Sequence, residues 1–234
     1  MTLILEVIVG SVADALAAER GGANRLEIIR DFERGGLTPP LELVRDIVAA
    51  VSVPVRVMLR ESDGYTTGGE AEIGKLCKFA HELCALKIDG VVLGFVREGD
   101  IDVDLTQRVL DSAPALKATF HHAFEETTEQ VASIEKLKRI QQVDRILTSD
   151  GNGDWPQKIA RLSRYEQAAR PQIKILAGGG LNREAIRAVC DATGIREFHV
   201  GRAARISGRA DGAVSADLVK ELIQTAETCL TEFR

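Results

Sequence analysis

Eight short runs of β-branched and aliphatic residues alternate with eight stretches of helical periodicity, and this alternation constrains the fold more than any other feature of the chain. The strand-like runs fall at residues 3–9, 25–29, 55–59, 90–93, 116–120, 145–148, 173–176 and 197–200. Strict strand–helix alternation implies a parallel sheet, because each helix carries the chain back to the end where the next strand begins. Eight such units with no break in composition predict closure into a (β/α)8 TIM barrel rather than an open doubly wound sheet. The chain has 234 residues. A barrel of this kind typically takes about 250, so residues 1–234 are expected to form a single domain.

Local signals agree with that reading. Ser11 reads as the N-cap of the first helix, with Asp14 three residues on, and Gly21-Gly22 ends it. Thr38 is expected to cap the second helix, with Pro39 at its first position. Asn182-Arg183-Glu184 reads as a helix start, and a last helix is expected over 215–230. The turn after the first strand, Val9-Gly10-Ser11-Val12-Ala13, lacks the G-x-G-x-x-G dinucleotide fingerprint. The long irregular stretches 31–38, 61–69, 150–155 and 202–214 each follow a strand, which places them on the catalytic face of a barrel.

Composition narrows the function. A net charge of −5 and an isoelectric point near 5.5 argue against a nucleic-acid footprint, and an aromatic content of 4% gives no stacking platform for single strands. No run approaches the ~18 apolar residues of a membrane helix. The amino terminus has no basic segment ahead of its first strand, so the expected location is cytoplasmic. Cys77, Cys84, Cys190 and Cys229 all fall in helical stretches and read as reduced thiols.

Active sites of such barrels are built at the carboxyl ends of the strands. Glu6 and Glu27 each interrupt an apolar strand near its end, on adjacent strands. A buried carboxylate is either paired or functional. The pair reads either as structural, with Arg25 or Arg60 as partner, or as a general acid/base pair with at least one raised pKa. Strand three ends at Arg60, suited to bind or polarise an anion. Strand five ends in His121 and His122, whose side chains should point to opposite faces. His121 is expected to face the mouth and shuttle protons near neutral pH, with His122 structural. Strand six ends in Thr148, Ser149 and Asp150, and strand eight carries His199. The Gly178-Gly179-Gly180 run after strand seven and Gly201 after strand eight fit a phosphate site, or else a tight left-handed turn. C-x-x-C, H-E-x-x-H and G-x-S-x-G are all missing, and no His/Asp cluster has metal-ligand spacing, which leaves a divalent metal only where Glu6, Glu27, His121 and His199 meet in three dimensions.

The strand-end segments resemble the CutC family, once named for copper homeostasis. The resemblance rests on Leu5-Glu6-Val7; on 18–27, from Ala18-Glu19-Arg20-Gly21-Gly22 to Glu27; and on Gly35-Gly36-Leu37-Thr38-Pro39. It continues through Val57-Met58-Leu59-Arg60, Thr119-Phe120-His121-His122-Ala123-Phe124, Arg145-Ile146-Leu147-Thr148-Ser149, Gly178-Gly179-Gly180 and Glu197-Phe198-His199. It implies a (β/α)8 barrel, a homodimer and a cytoplasmic protein. Family members usually carry a cysteine two residues after each of the two strand glutamates, the thiols proposed to hold copper. Here those positions are Ile8 and Ile29, and isoleucine cannot ligate a soft metal. The family's Arg-Pro-Arg-Gly-Gly after strand three is here Arg60-Glu61-Ser62-Asp63-Gly64.

The expected function is therefore an enzyme of isomerase or lyase type on a small anionic or phosphorylated metabolite. Glu6, Glu27 and His121 would transfer protons. Arg60, Thr148, Ser149, Gly178, Gly179, Gly180, His199 and Gly201 would bind the substrate or its anionic group. No cofactor is required, and copper is unsupported by the cysteine positions. The alternatives are copper binding, as the family name suggests, and a barrel that only binds a ligand.

Overall fold

A computed structural model of the chain describes residues 3–149, 151 and 153–231; Asp150 lies outside the described residues. Eight parallel strands close into a barrel in chain order, with the last beside the first. They are β1 (Ile4–Val9), β2 (Arg25–Ile28), β3 (Val55–Met58), β4 (Gly90–Leu93), β5 (Lys117–Phe120), β6 (Val143–Thr148), β7 (Lys174–Ala177) and β8 (Glu197–Val200). All eight overlap the runs expected from the sequence. The helices α1 (Val12–Arg20), α2 (Leu41–Ala50), α3 (Glu70–Leu83), α4 (Val103–Asp111), α5 (Gln130–Leu137), α6 (Trp155–Ala169), α7 (Arg183–Thr193) and α8 (Ala216–Thr231) follow the strands.

Ser11 caps α1 as expected, its side chain accepting from Asp14 N–H, and Asn182 caps α7 by accepting from Ala185 N–H. The expected cap of α2 is corrected. The N-cap is Pro40 and the helix begins at Leu41. A residue before proline is pushed out of the α region, so Pro39, followed by Pro40, cannot start a helix. The Thr38 hydroxyl instead donates to Arg60 O and accepts from Arg60 N–H, tying the β2 loop to the end of β3.

Side chains that point inward recur every second residue along each strand. Near the amino ends of the strands the interior is charged. Arg56, fully buried, donates to Asp89 at 2.8 Å, to both oxygens of Asp144 at 2.8 and 2.9 Å, and to Thr119 Oγ1 at 2.7 Å. Arg145 pairs with Asp144 and reaches Glu197 at 2.6 Å, and Glu197 also meets Arg25. The cations on β2, β3 and β6 thus alternate with carboxylates, so each buried charge has a partner. Outside the barrel the helices pack over a continuous aliphatic core of Leu, Ile, Val and Ala. One element was not expected from the sequence: after β4 the chain forms a small antiparallel hairpin, Val96–Arg97 with Asp100–Ile101.

Candidate active site

The carboxyl ends of the strands surround a cavity of about 500 Å³. Glu27, Arg60, His121, Gly179, Gly180, His199 and Gly201 line it, joined by residues with no polar signal in the sequence: Ile8, Ile29, Phe32, Met58 and Tyr65.

Glu6 and Glu27 meet through His199. The register sets Glu6 opposite His199 on one side and Arg25 on the other. Glu6 Oε1 lies 2.8 Å from His199 Nδ1, and its other oxygen accepts from Arg25 Nε. His199 Nε2 lies 3.5 Å from Glu27 Oε2. Both carboxylates are almost fully buried, yet their environments differ. Burial works to raise the Glu6 pKa, but Arg25 and the His199 hydrogen bond overcome it and hold the carboxyl well below the usual range. Glu6 thus favours its ionised form, held between Arg25 and His199, an arrangement that matches the structural pairing with Arg25 that the sequence also allowed. Among the described residues Glu27 has no arginine in hydrogen-bond contact, and its buried Oε1 has no partner. Burial, aided by the Glu6 charge, pushes its pKa up to about 7 against the opposing pull of His199. His199 itself is raised: burial opposes its charge, and Glu27 and Glu6 outweigh burial.

His121 lines the cavity. It is buried, and burial together with the His122 and Arg60 charges pushes its pKa down to about 3, so it does not gain a proton near neutral pH. Its Nδ1 accepts from Ala123 N–H at 3.2 Å, which assigns the ring proton to Nε2. That Nε2 is buried with no partner among the described residues, and the centroid of the imidazole lies 5.1 Å from that of the Tyr65 ring. His121 is thus a neutral donor. The expectation that His122 turns away is corrected. The chain leaves the strand at His121 and enters a 3-10 turn, His122–Glu126, so strand alternation no longer applies. His122 lines the cavity as well, with its Nδ1 2.8 Å from Glu125 Oε1.

The remaining residues divide between the cavity and its back wall. Gly179 and Gly180 have φ of 77° and 84°, conformations open to glycine and strained for other residues, and they lead into the capped start of α7. A Cβ on Gly201 would lie 2.5 Å from the Phe32 ring, so the glycine admits that ring. Gly178 does not line the cavity, and Leu147 packs against it. Thr148 and Ser149 do not line it either: both hydroxyls and the Ser149 N–H donate to Glu125 Oε1 at 2.7–3.1 Å. Glu125, overlooked in the sequence because it lies five residues past its strand, is held down at about 2. Burial opposes that shift, and these donors with His122 outweigh it. The Arg60 side chain donates to the carbonyls of Gly64, Arg34 and Gly36, each at 3.0 Å, and lies 5.3 Å from the Tyr65 ring. Among the described residues no carboxylate comes within ion-pair distance, so its charge is not neutralised locally. Arg202 stands over Phe32 at 5.6 Å and reaches Glu33 at 3.4 Å.

One group of candidate metal ligands lies in the mouth. Ligand atoms of Glu6, Glu27 and His199 lie within 4.8 Å of one another. Arg25 already occupies Glu6, and Ile8 and Ile29 present hydrocarbon to the cavity. A Cu(I) centre, which takes thiolates, does not fit these residues. A second group, Cys190, Asp191 and Cys229, also lies within 4.8 Å, but on the outer helices α7 and α8, where burial first and Cys229 second push the Cys190 thiol up to about 12.

Residues 3–204 match the CutC family. A copper homeostasis protein cutC homolog of Homo sapiens is 32% identical over 208 residues, covering 88% of this chain and 76% of its own. A CutC family protein of Parabacteroides distasonis is 33% identical over 202 residues, 85% of this chain and 82% of its own. The crystal structure of CutC from Streptococcus agalactiae has a TM-score of 0.77 at 23% identity, over 86% of this chain and 98% of its own. Phosphoribosylanthranilate isomerase from Thermotoga maritima has a TM-score of 0.66 at 16% identity, over 97% of this chain and 100% of its own. At those identities the likeness of the two structures is one of fold.

Proposed function

The chain belongs to the CutC family, and from that premise and the geometry of the mouth we propose that it is an enzyme of isomerase or lyase type. Its substrate is a small anionic or phosphorylated metabolite with an acidic C–H beside a carbonyl. The observation that carries this reading is Glu27. It is a buried carboxyl on the cavity wall, with one oxygen unpaired and a pKa of about 7. A general base works best when its pKa lies near the operating pH. Glu27 takes the proton from carbon, and His199, hydrogen-bonded to the fixed anion Glu6, stabilises the ionised base from behind. The Nε2–H of His121 donates to the substrate carbonyl oxygen as negative charge develops there, the role of a preorganised oxyanion donor. Its low pKa suits that task, because a neutral imidazole donates without first gaining a proton. Arg60 and the backbone at Gly179 and Gly180 hold the anionic group.

Copper is in the names of several relatives, but no step here passes through it. The test is proton exchange. The protein is incubated in D2O with a panel of small 2-oxo acids and ketose phosphates, and loss of the C–H signal beside the carbonyl is followed by NMR. Exchange with at least one member, abolished by Glu27→Gln and strongly slowed by His121→Ala, is the expected result. Exchange that survives Glu27→Gln contradicts the assignment of the base.

A further inference from the structure

On three neighbouring strands the side chain one step nearer the mouth than the charged layer is apolar. Glu6 is followed on the inward face by Ile8, Glu27 by Ile29, and Arg56 by Met58. With Phe32 these three line one side of the cavity. Ile29 and Met58, packed on Val92, form a small hydrophobic cluster separate from the main core, with Ile8 and Phe32 against it. The opposite side carries polar groups, with His121 and His122 on one strand end and Asn182 on the next loop but one. Arg60 supplies a positive charge at the edge of the apolar side. The cavity is therefore uneven: over β1 to β3 the four apolar side chains form one patch, with Glu27 beneath it and Glu33 and Arg60 at its edge, while over β5 to β7 His121, His122 and Asn182 stand beside Leu147 and Leu181.

We infer that the substrate is an acid with an apolar body, an aromatic ring or a branched aliphatic chain, which lies against Ile8, Ile29, Phe32 and Met58 while its anionic group meets Arg60. This inference rests on the mouth being the reaction site, as proposed above, and narrows which anionic metabolite it takes. A polyhydroxylated sugar phosphate is a poor match. Each hydroxyl turned to the wall gives up water and finds no donor or acceptor, a loss on the order of tenfold in affinity per group. An aliphatic or aromatic body loses nothing there and gains contact with the four side chains. The wall also serves the chemistry, since a hydrocarbon lid above Glu27 keeps water from the base once the substrate body is seated.

The test is a binding comparison on the otherwise intact Glu27→Gln protein, by isothermal titration with four probes: phenylpyruvate, 4-methyl-2-oxopentanoate, pyruvate and ribulose 5-phosphate. The aromatic and branched acids are expected to bind at least tenfold tighter than pyruvate or the sugar phosphate. Ile29→Ser and Met58→Ser, each introduced separately and checked for folding by circular dichroism, are expected to erase that preference by weakening the aromatic and branched acids at least tenfold more than pyruvate. Tightest binding of ribulose 5-phosphate, equal binding of all four, or a preference untouched by both wall variants overturns the inference, as does failure of the aromatic and branched acids to bind. The outcomes separate the two claims. Preferred binding of the apolar acids without proton exchange leaves the substrate class standing and removes the base. Exchange on ribulose 5-phosphate alone keeps the base and removes the substrate class.

Discussion

Replacing Glu27 by glutamine keeps the shape of the side chain and removes its charge, so its effect on stability should depend on pH in a defined direction. The carboxyl is raised from its ordinary 4.5 to about 7, with burial the largest cause. A raised carboxyl favours the folded state fully below its ordinary pKa. It loses that advantage as pH climbs through about 7, because the folded protein must then ionise a group the unfolded chain ionises readily. At 1.36 kcal/mol for each pH unit of displacement, the penalty once Glu27 is ionised is roughly 3 kcal/mol. That figure already contains the opposing pull of His199, 3.5 Å away. Glu27→Gln never ionises. Its stability relative to wild type is therefore expected to rise by roughly 2–3 kcal/mol between pH 5 and pH 8. Urea unfolding midpoints of both proteins at pH 5, 6, 7 and 8 measure the difference, in which the many other titrations largely cancel. Parallel stability curves, or a variant that loses ground as pH rises, would mean that Glu27 is ionised and well paired throughout, and the reasoning would fail.

Other perturbations follow from the same structure. Arg56→Met leaves Asp89 without its cation and Asp144 with Arg145 alone and should cost roughly 2–3 kcal/mol; a change below about 1 kcal/mol in urea unfolding would mean the network contributes little. Gly94→Ala places a methyl group 2.7 Å from His121 Nδ1 and 2.9 Å from its Cε1. The displaced ring should slow proton exchange by roughly 100-fold with an unchanged circular dichroism spectrum, and normal exchange would separate His121 from the chemistry. A Cu(I) titration against a competing chelator should show no tight site once Cys77, Cys84, Cys190 and Cys229 are all serine, and stoichiometric binding by that variant would contradict the fit test in the mouth.

The barrel was legible in the sequence because each strand is a short β-branched run set off by a helical period, and because helix signals such as Ser11 and Asn182 act locally. The cap at Thr38 misled because Pro40 keeps Pro39 out of the helix, and the Thr38 hydroxyl meets the Arg60 backbone, 22 residues away, a contact that only the closed barrel makes. Glu6 and Glu27 were both visible as charges in apolar strands. The difference between their surroundings was not, since it depends on which of them Arg25 reaches. Arg56 sits inside Val55-Arg56-Val57 with the same outward signal, but its partners come from β6 and from the residue before β4. The apolar wall could not be read because Ile8, Ile29 and Met58 look like any core residues until the barrel places them above the carboxylates. Thr148 and Ser149 pointed toward the mouth by position alone, and the carboxylate they serve, Glu125, enters from the turn after β5.

The pH profile of proton exchange tests the proposed role of Glu27 most directly. With whichever oxo acid exchanges, the rate in D2O is expected to rise with ionisation of a single group near 7, the value to which burial lifts Glu27, and to disappear in Glu27→Gln. A profile that is flat from pH 5 to pH 9, or a Glu27→Gln protein that keeps both the rate and the inflection, would contradict the assignment of Glu27 as the base.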